Sequence, residues 1–206
     1  MREHSCVVME PIDLWDVFLR VYEIRDDVPC NIGVYHQALT LLYRKPGREV
    51  DSWNEDYSQP IIRDVKDIGR YEWPKFCTCG YEFSNRAARQ YHPIRMWQNQ
   101  ETGEILQRKN FPVGALWRNT WLESNPHYRG EDGQSWSVLT PGGEWAIDGP
   151  CSNCTRPTEL HHCWCRHGVA PNFTVDKTGN TCSAGGGSIL VGEYHGFLRD
   201  GKLVPA

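Results

Sequence analysis

Long apolar runs, a surplus of basic charge and low-complexity tracts are all scarce in this sequence, and each scarcity removes a class of function. No segment approaches the roughly 20 consecutive apolar residues that a membrane-spanning helix requires. The first ten residues are interrupted by Arg2, Glu3 and His4 instead of forming an apolar leader behind a basic start. A cytoplasmic chain with no membrane partner is the expectation. Lys and Arg total 22 against 26 Asp and Glu, whereas a dedicated nucleic-acid binder shows a basic face that neutralises phosphates. Nucleic acid is therefore a disfavoured partner, with a local patch at Arg86, Arg89 and Arg95 as the one place to look. Neither HExxH nor HxE occurs, so the usual helical signature of a zinc hydrolase is missing.

Cysteine and large aromatics are plentiful instead. A chain of 206 residues can bury a sizeable core without metal or disulfides. Nine cysteines in a reducing compartment stay free, catalytic or metal-bound, and metal is the leading explanation. Nine Trp and nine Tyr supply core filling or interface anchors.

The segment 11 to 24 predicts an N-terminal helix: Pro11 sits where a first turn tolerates it, Asp13 and Asp16 favour the positive end, and apolar residues recur at helical spacing. Residues 33 to 43 fit helix or strand. Residues 50 to 72 read as a long acidic loop, in a region, 1 to 72, that holds fourteen acidic side chains against nine basic ones. From Trp73 onward short runs alternate with turn residues. Hairpins are predicted for 94 to 97 with 104 to 107, and for 135 to 140 with 144 to 147. Turn-closed strands follow at 172 to 175 and at 194 to 204. The expected fold is mainly β with an N-terminal helix (α+β), antiparallel hairpins in series stabilised by zinc. Its expected division is 1–72, helical and acidic, and 73–206, a β-rich Cys/His domain.

Cys151-Ser-Asn-Cys154 is a CxxC on a loop, spaced so that two thiolates can reach one tetrahedral ion at about 2.3 Å each. In His161-His162-Cys163-Trp164-Cys165-Arg166-His167, an extended backbone would send His161, Cys163, Cys165 and His167 to one face. Neighbours on that face lie roughly 6.6 Å apart, so two of them rather than four can share an ion. Cys77-Thr-Cys79-Gly80 is a tighter pair whose glycine lets the chain turn beneath a metal. The expected ligand pool is Cys77, Cys79, Cys154, His161, Cys163 and Cys182, holding one or two Zn2+ ions. Cys6 and Cys30 read as small core residues, and His36, isolated in sequence, as a surface or hydrogen-bonded core histidine.

Several further stretches carry a resemblance: Trp145-Ala-Ile-Asp148, Asn153-Cys154-Thr155, Cys163-Trp164 with Arg166-His167-Gly168, Thr174-Val-Asp-Lys177, Thr181-Cys182 through Gly187-Ser188-Ile189, and Tyr194-His195-Gly196-Phe197-Leu198. Over about residues 73 to 204 the chain resembles an uncharacterised family of Cys/His-rich proteins of tailed phages and prophages. That resemblance implies a phage-encoded accessory protein inside a bacterial host and brings no activity with it. The family pattern lacks cysteine at the positions of Cys151 and Cys165, which favours Cys154, Cys163 and Cys182 as ligands.

The expected function is binding to a host or phage protein, with zinc in a structural role and no catalysis. The alternative is an HNH-like metal-dependent endonuclease, in which His161 or His162 activates water and Asn172 orients it. Another zinc hydrolase is a third possibility, with Glu159 the nearest carboxylate. The run Ala184-Gly-Gly-Gly-Ser188 lacks the following lysine of a phosphate loop and reads as a turn.

Overall fold

The computed structural model describes residues 2–46, 73–154, 161–179, 181–182 and 187–206. The long acidic loop read at 50 to 72, and with it the domain boundary placed at its end, lies outside the described residues. So do Glu159 and residues 184 to 186 of the glycine run.

Thirteen strands are described, and the expectation of a mainly β chain with antiparallel sheets holds. The N-terminal helix does not. Residues Val7–Glu23 form one strand, β2, following the short β1 (His4–Ser5). Its apolar residues satisfy both periods, and two features tip the balance. Trp15, Val17, Leu19, Val21 and Glu23 are all buried, an every-second-residue pattern, and the segment is rich in β-branched and aromatic residues that suit a pleated surface. The ambiguous segment after it becomes β3 (His36–Pro46). It pairs antiparallel with β2 from Leu14 opposite Pro46 to Glu23 opposite His36, with a register shift at Val17/Phe18. None of the described helices is long and apolar enough to cross a membrane.

The chain divides into two compact units, residues Pro11–Met96 and residues Met1–Glu10 with Trp97–Ala206. In the first unit β2 lies between β3 and β4 (Ala88–Asn99). Between β3 and β4 a tight turn carries the Cys77-Thr-Cys79 pair, and Val21, Cys77, Phe83 and Ala87 pack into a small core with Cys30, Cys79 and Tyr81 against it.

In the second unit, β5 (Ile105–Gln107) closes the first predicted hairpin, with the Asn99 N–H donating to the Glu104 carbonyl at 2.9 Å. β6 (Ala115–Arg118) pairs with β7 (Trp136–Thr140), and β7 with β8 (Gly143–Ala146), the second predicted hairpin. A second sheet runs β1, β13 (Lys202–Pro205), β12 (Tyr194–Arg199), β10 (Thr174–Asp176) and β9 (Cys165–His167), with β11 (Ile189–Val191) on β12. The turn between β12 and β13 uses positive φ at Asp200 (45°) and Gly201 (71°). The Asp-Gly pair supplies this conformation at little cost. Between the sheets, Leu116, Trp136, Val138, Ile147, Phe173, Val175, Ile189, Tyr194, Leu198 and Leu203 form a core, which Cys163, Trp164 and Cys182 also enter.

Candidate metal centres

None of the nine cysteines is joined in a disulfide. The six expected ligands separate into two groups instead of meeting at one point. Each group is completed to three sulfurs and one imidazole: Cys30, His36, Cys77 and Cys79 in the first unit, and Cys154, His161, Cys163 and Cys182 in the second. Within each group the donor atoms all lie within 4.8 Å of one another, a spacing that could hold a metal ion.

The first cluster is built by the β2–β3 hairpin and the CxC turn. The Cys77 N–H donates to the Tyr81 carbonyl at 2.8 Å, and the Gly80 N–H returns to the Cys77 carbonyl at 2.8 Å. Gly80 has a φ of 91°, the conformation that the CxCG spacing predicts. The Glu23 carboxylate, at the end of β2, accepts the Ser84 N–H at 2.9 Å and the Ser84 hydroxyl at 2.6 Å, tying the turn to the hairpin. His36 opens β3 opposite Glu23, and Cys30 stands in the connection before it. The imidazole of His36 stacks on Tyr81 with ring centroids 3.9 Å apart. Its Nε2 lies 2.7 Å from the Val28 carbonyl oxygen, which can only accept. Nε2 therefore carries the proton, and Nδ1, 3.2 Å from the Cys79 sulfur, presents a lone pair to the centre. A metal-binding imidazole is usually held by this kind of outer hydrogen bond.

Sulfur spacing fits a tetrahedral ion. Bonds of about 2.3 Å at the tetrahedral angle place two thiolates about 3.8 Å apart, and Cys30 and Cys77 are separated by 3.9 Å. Burial alone would raise the Cys77 thiol. The amides of Cys79 and Gln37 and the side chains of His36 and Cys79 outweigh it and bring the thiol down to about 6. The neighbouring Cys79 moves upward: the Tyr81 amide lowers it, but burial and the Cys77 and Cys30 thiols prevail.

The second cluster gathers three separate stretches. Cys154 closes a turn in which its N–H donates to the Cys151 carbonyl at 3.1 Å. The segment before β9 bends, and His161 Nε2 comes within 3.0 Å of the Cys154 sulfur and 3.2 Å of the Cys163 sulfur. Cys182 is held beside them by a reciprocal pair: the Thr181 N–H donates to the His162 carbonyl and the His162 N–H to the Thr181 hydroxyl, each at 3.1 Å. Lys177 donates to the Cys163 carbonyl at 2.6 Å while its ammonium lies 4.1 Å from the centre of the Trp164 ring. Burial in the core, reinforced by neighbouring thiols, pushes the Cys163 thiol up to about 12.

Of the four residues expected on one face, His161 and Cys163 join the cluster. Cys165 is paired opposite Asp176 in β9 and β10, and His167 Nε2 contacts the Asp176 carboxylate at 3.1 Å. Cys151 stands outside the group of four, with its sulfur 3.8 Å from that of Cys182. Asn172 lies in the turn before β10, its N–H donating to the Val169 carbonyl at 2.7 Å.

Sequence reasoning missed Cys30 and His36, which it assigned to core or surface roles. The only signal for them was the pairing of β2 with β3, which the helical reading of 11 to 24 concealed. No family model matches the chain, and no curated protein or solved structure matches it either.

Proposed function

We propose that this is a zinc-stabilised binding protein with two structural metal centres. The observation behind this reading is the twofold convergence of three thiols and one imidazole. Such a donor set fills the tetrahedron that zinc prefers, and soft sulfur ligands select zinc over hard cations such as magnesium. Catalytic zinc needs a position left open for water, whereas here four side chains are available for each ion. His161 faces two sulfurs, so its imidazole is better suited to ligation than to activating water in the nuclease manner. The ions would hold loops in place, and metal-binding free energy would add directly to folding free energy.

The binding role rests on apolar surface in the first unit. Ile24, Ile32 and Val34, in the connection that also carries Cys30, are 69%, 60% and 96% exposed. Leu39 and Leu41 on β3 and Phe76 beside the CxC turn are exposed as well. An exposed apolar patch is a usual mark of a protein-binding surface, and Ile24, Ile32 and Val34 share one connection. The resemblance to phage proteins makes a host or phage protein inside the bacterial cell the proposed partner. Cross-linking of zinc-loaded protein in an infected-cell lysate, compared with an Ile32→Asp/Val34→Asp variant, tests the reading. A specific prey recovered with the native chain and lost with the variant is expected. The same proteins recovered with both would contradict it.

A further inference from the structure

Among the described residues, the second cluster has a feature that the first lacks: a fifth thiol beside its four donors. The Cys151 sulfur lies 3.8 Å from that of Cys182, the separation of two thiolates on one zinc ion, about 3.8 Å from bonds of about 2.3 Å. Cys151 also packs on the buried core that contains Cys163 and Cys182, and it is among the groups that shift the Cys163 thiol. It therefore borders two members of the cluster while remaining outside the mutually close four. The backbone holds it there, because the Cys151 carbonyl accepts from Cys154 in the tight turn that also positions that ligand. Its thiol is half-buried rather than sealed in the core.

Building on the reading of the clusters as zinc centres, we propose that Cys151 is an alternate ligand of the second centre, able to take a vertex of the ion when one of the other four donors leaves. Zinc has no geometric preference from its d electrons and tolerates five ligands in passing, so a vertex can change hands without the ion leaving the protein. The second centre is thus the exchangeable one. The first, with Cys30, His36, Cys77 and Cys79 and no fifth sulfur in its group, loses its ion when it loses a ligand.

The test is metal content per chain, by native mass spectrometry, for Cys182→Ser and for Cys151→Ser/Cys182→Ser. Two ions in the single variant and one in the double are the expected result. One ion in the single variant, or two in both, overturns the proposal. Should Cys182→Ser fail to fold, His161→Ala decides. With cobalt in place of zinc it should keep two ions, and its sulfur-to-metal absorption should grow by one thiolate as Cys151 replaces the imidazole. A drop to one ion without that growth overturns the proposal. A native chain that takes up no zinc at all would be a different outcome, contradicting the zinc reading itself.

Discussion

The two clusters share a donor set and differ in what surrounds it. Around Cys163 and Cys182 the sulfurs join a core of large side chains, with Trp136, Phe173, Tyr194, Leu198 and Leu203 among its members. Around Cys77 the buried cluster comprises Val21, Phe83 and Ala87 besides the cysteine itself. Packing alone can therefore sustain the surroundings of the second centre, whereas the described surroundings of the first would, on the zinc reading, depend on an ion. Burying a Leu or Phe side chain contributes about 1.5–3 kcal/mol, and a structural zinc on the order of 10 kcal/mol. One ion thus outweighs several such side chains.

Stripping metal with a chelator under reducing conditions should have the largest effect and should fall unevenly. Amide hydrogen exchange in residues 24 to 36 and 73 to 87 is expected to rise toward unfolded rates, while the sheet of β13, β12 and β10 stays protected. Equal loss of protection in both regions would erase the contrast.

Single ligand changes come next. Cys77→Ser should remove one ion and sharply reduce the yield of folded protein. A single serine substitution in the second centre should cost less, since Cys151 stands in reserve; thermal unfolding with metal analysis separates the cases.

Acidity should also distinguish the centres. The Cys77 thiol, lowered to about 6 from an ordinary value of 9.0, stabilises the metal-free fold above the ordinary value, and that contribution disappears as pH falls through about 6. The Cys163 thiol, raised to about 12, works in the opposite sense: above 9 the unfolded chain ionises first and stability is lost. At neutral pH the Cys77 site is already a thiolate, whereas Cys163 must release a proton to bind. Cys79 and His36 of the first centre shift upward too, so the expected difference is the one proton that Cys163 must release and Cys77 need not, a slightly steeper fall in zinc affinity from pH 8 to pH 6 at the second centre. Competition titrations on the separate single-centre variants would measure both slopes.

Cys6→Ser should matter least. This residue is buried in the same core as Cys163, and burial pushes its thiol up to about 12. A hydroxyl there should cost about 1–3 kcal/mol as an unsatisfied buried polar group, with metal content unchanged.

Much of this arrangement was legible from residue spacing. The CxCG turn, the hairpins around Gly103 and Gly142, and the closeness of His161 to Cys163 follow from local geometry, because turn residues and ligand spacing act over a few positions; the meeting of Cys182 with Cys154 does not. The rest depends on long-range pairing. Ile12, Leu14, Trp15, Val17, Phe18, Leu19, Val21 and Tyr22 satisfy a helix and a strand alike, and the partner strand β3 decides between them. That decision brings His36 opposite Glu23 and carries Cys30 toward Cys77, 47 positions away in the chain. A lone histidine and a lone cysteine have no spacing to reveal them. The separation of the CxC pair from the Cys154 group has the same origin, since the partners of Cys77 and Cys79 are supplied by a hairpin that local patterns left undetermined.

The central claim is that the chain holds two metal ions through two distinct donor sets. Native mass spectrometry of protein purified in reducing, zinc-containing buffer measures this directly. Two zinc ions per chain in the native protein, falling to one in Cys77→Ser, is the predicted result. A native chain carrying no ion and folded equally well with or without zinc would contradict the account.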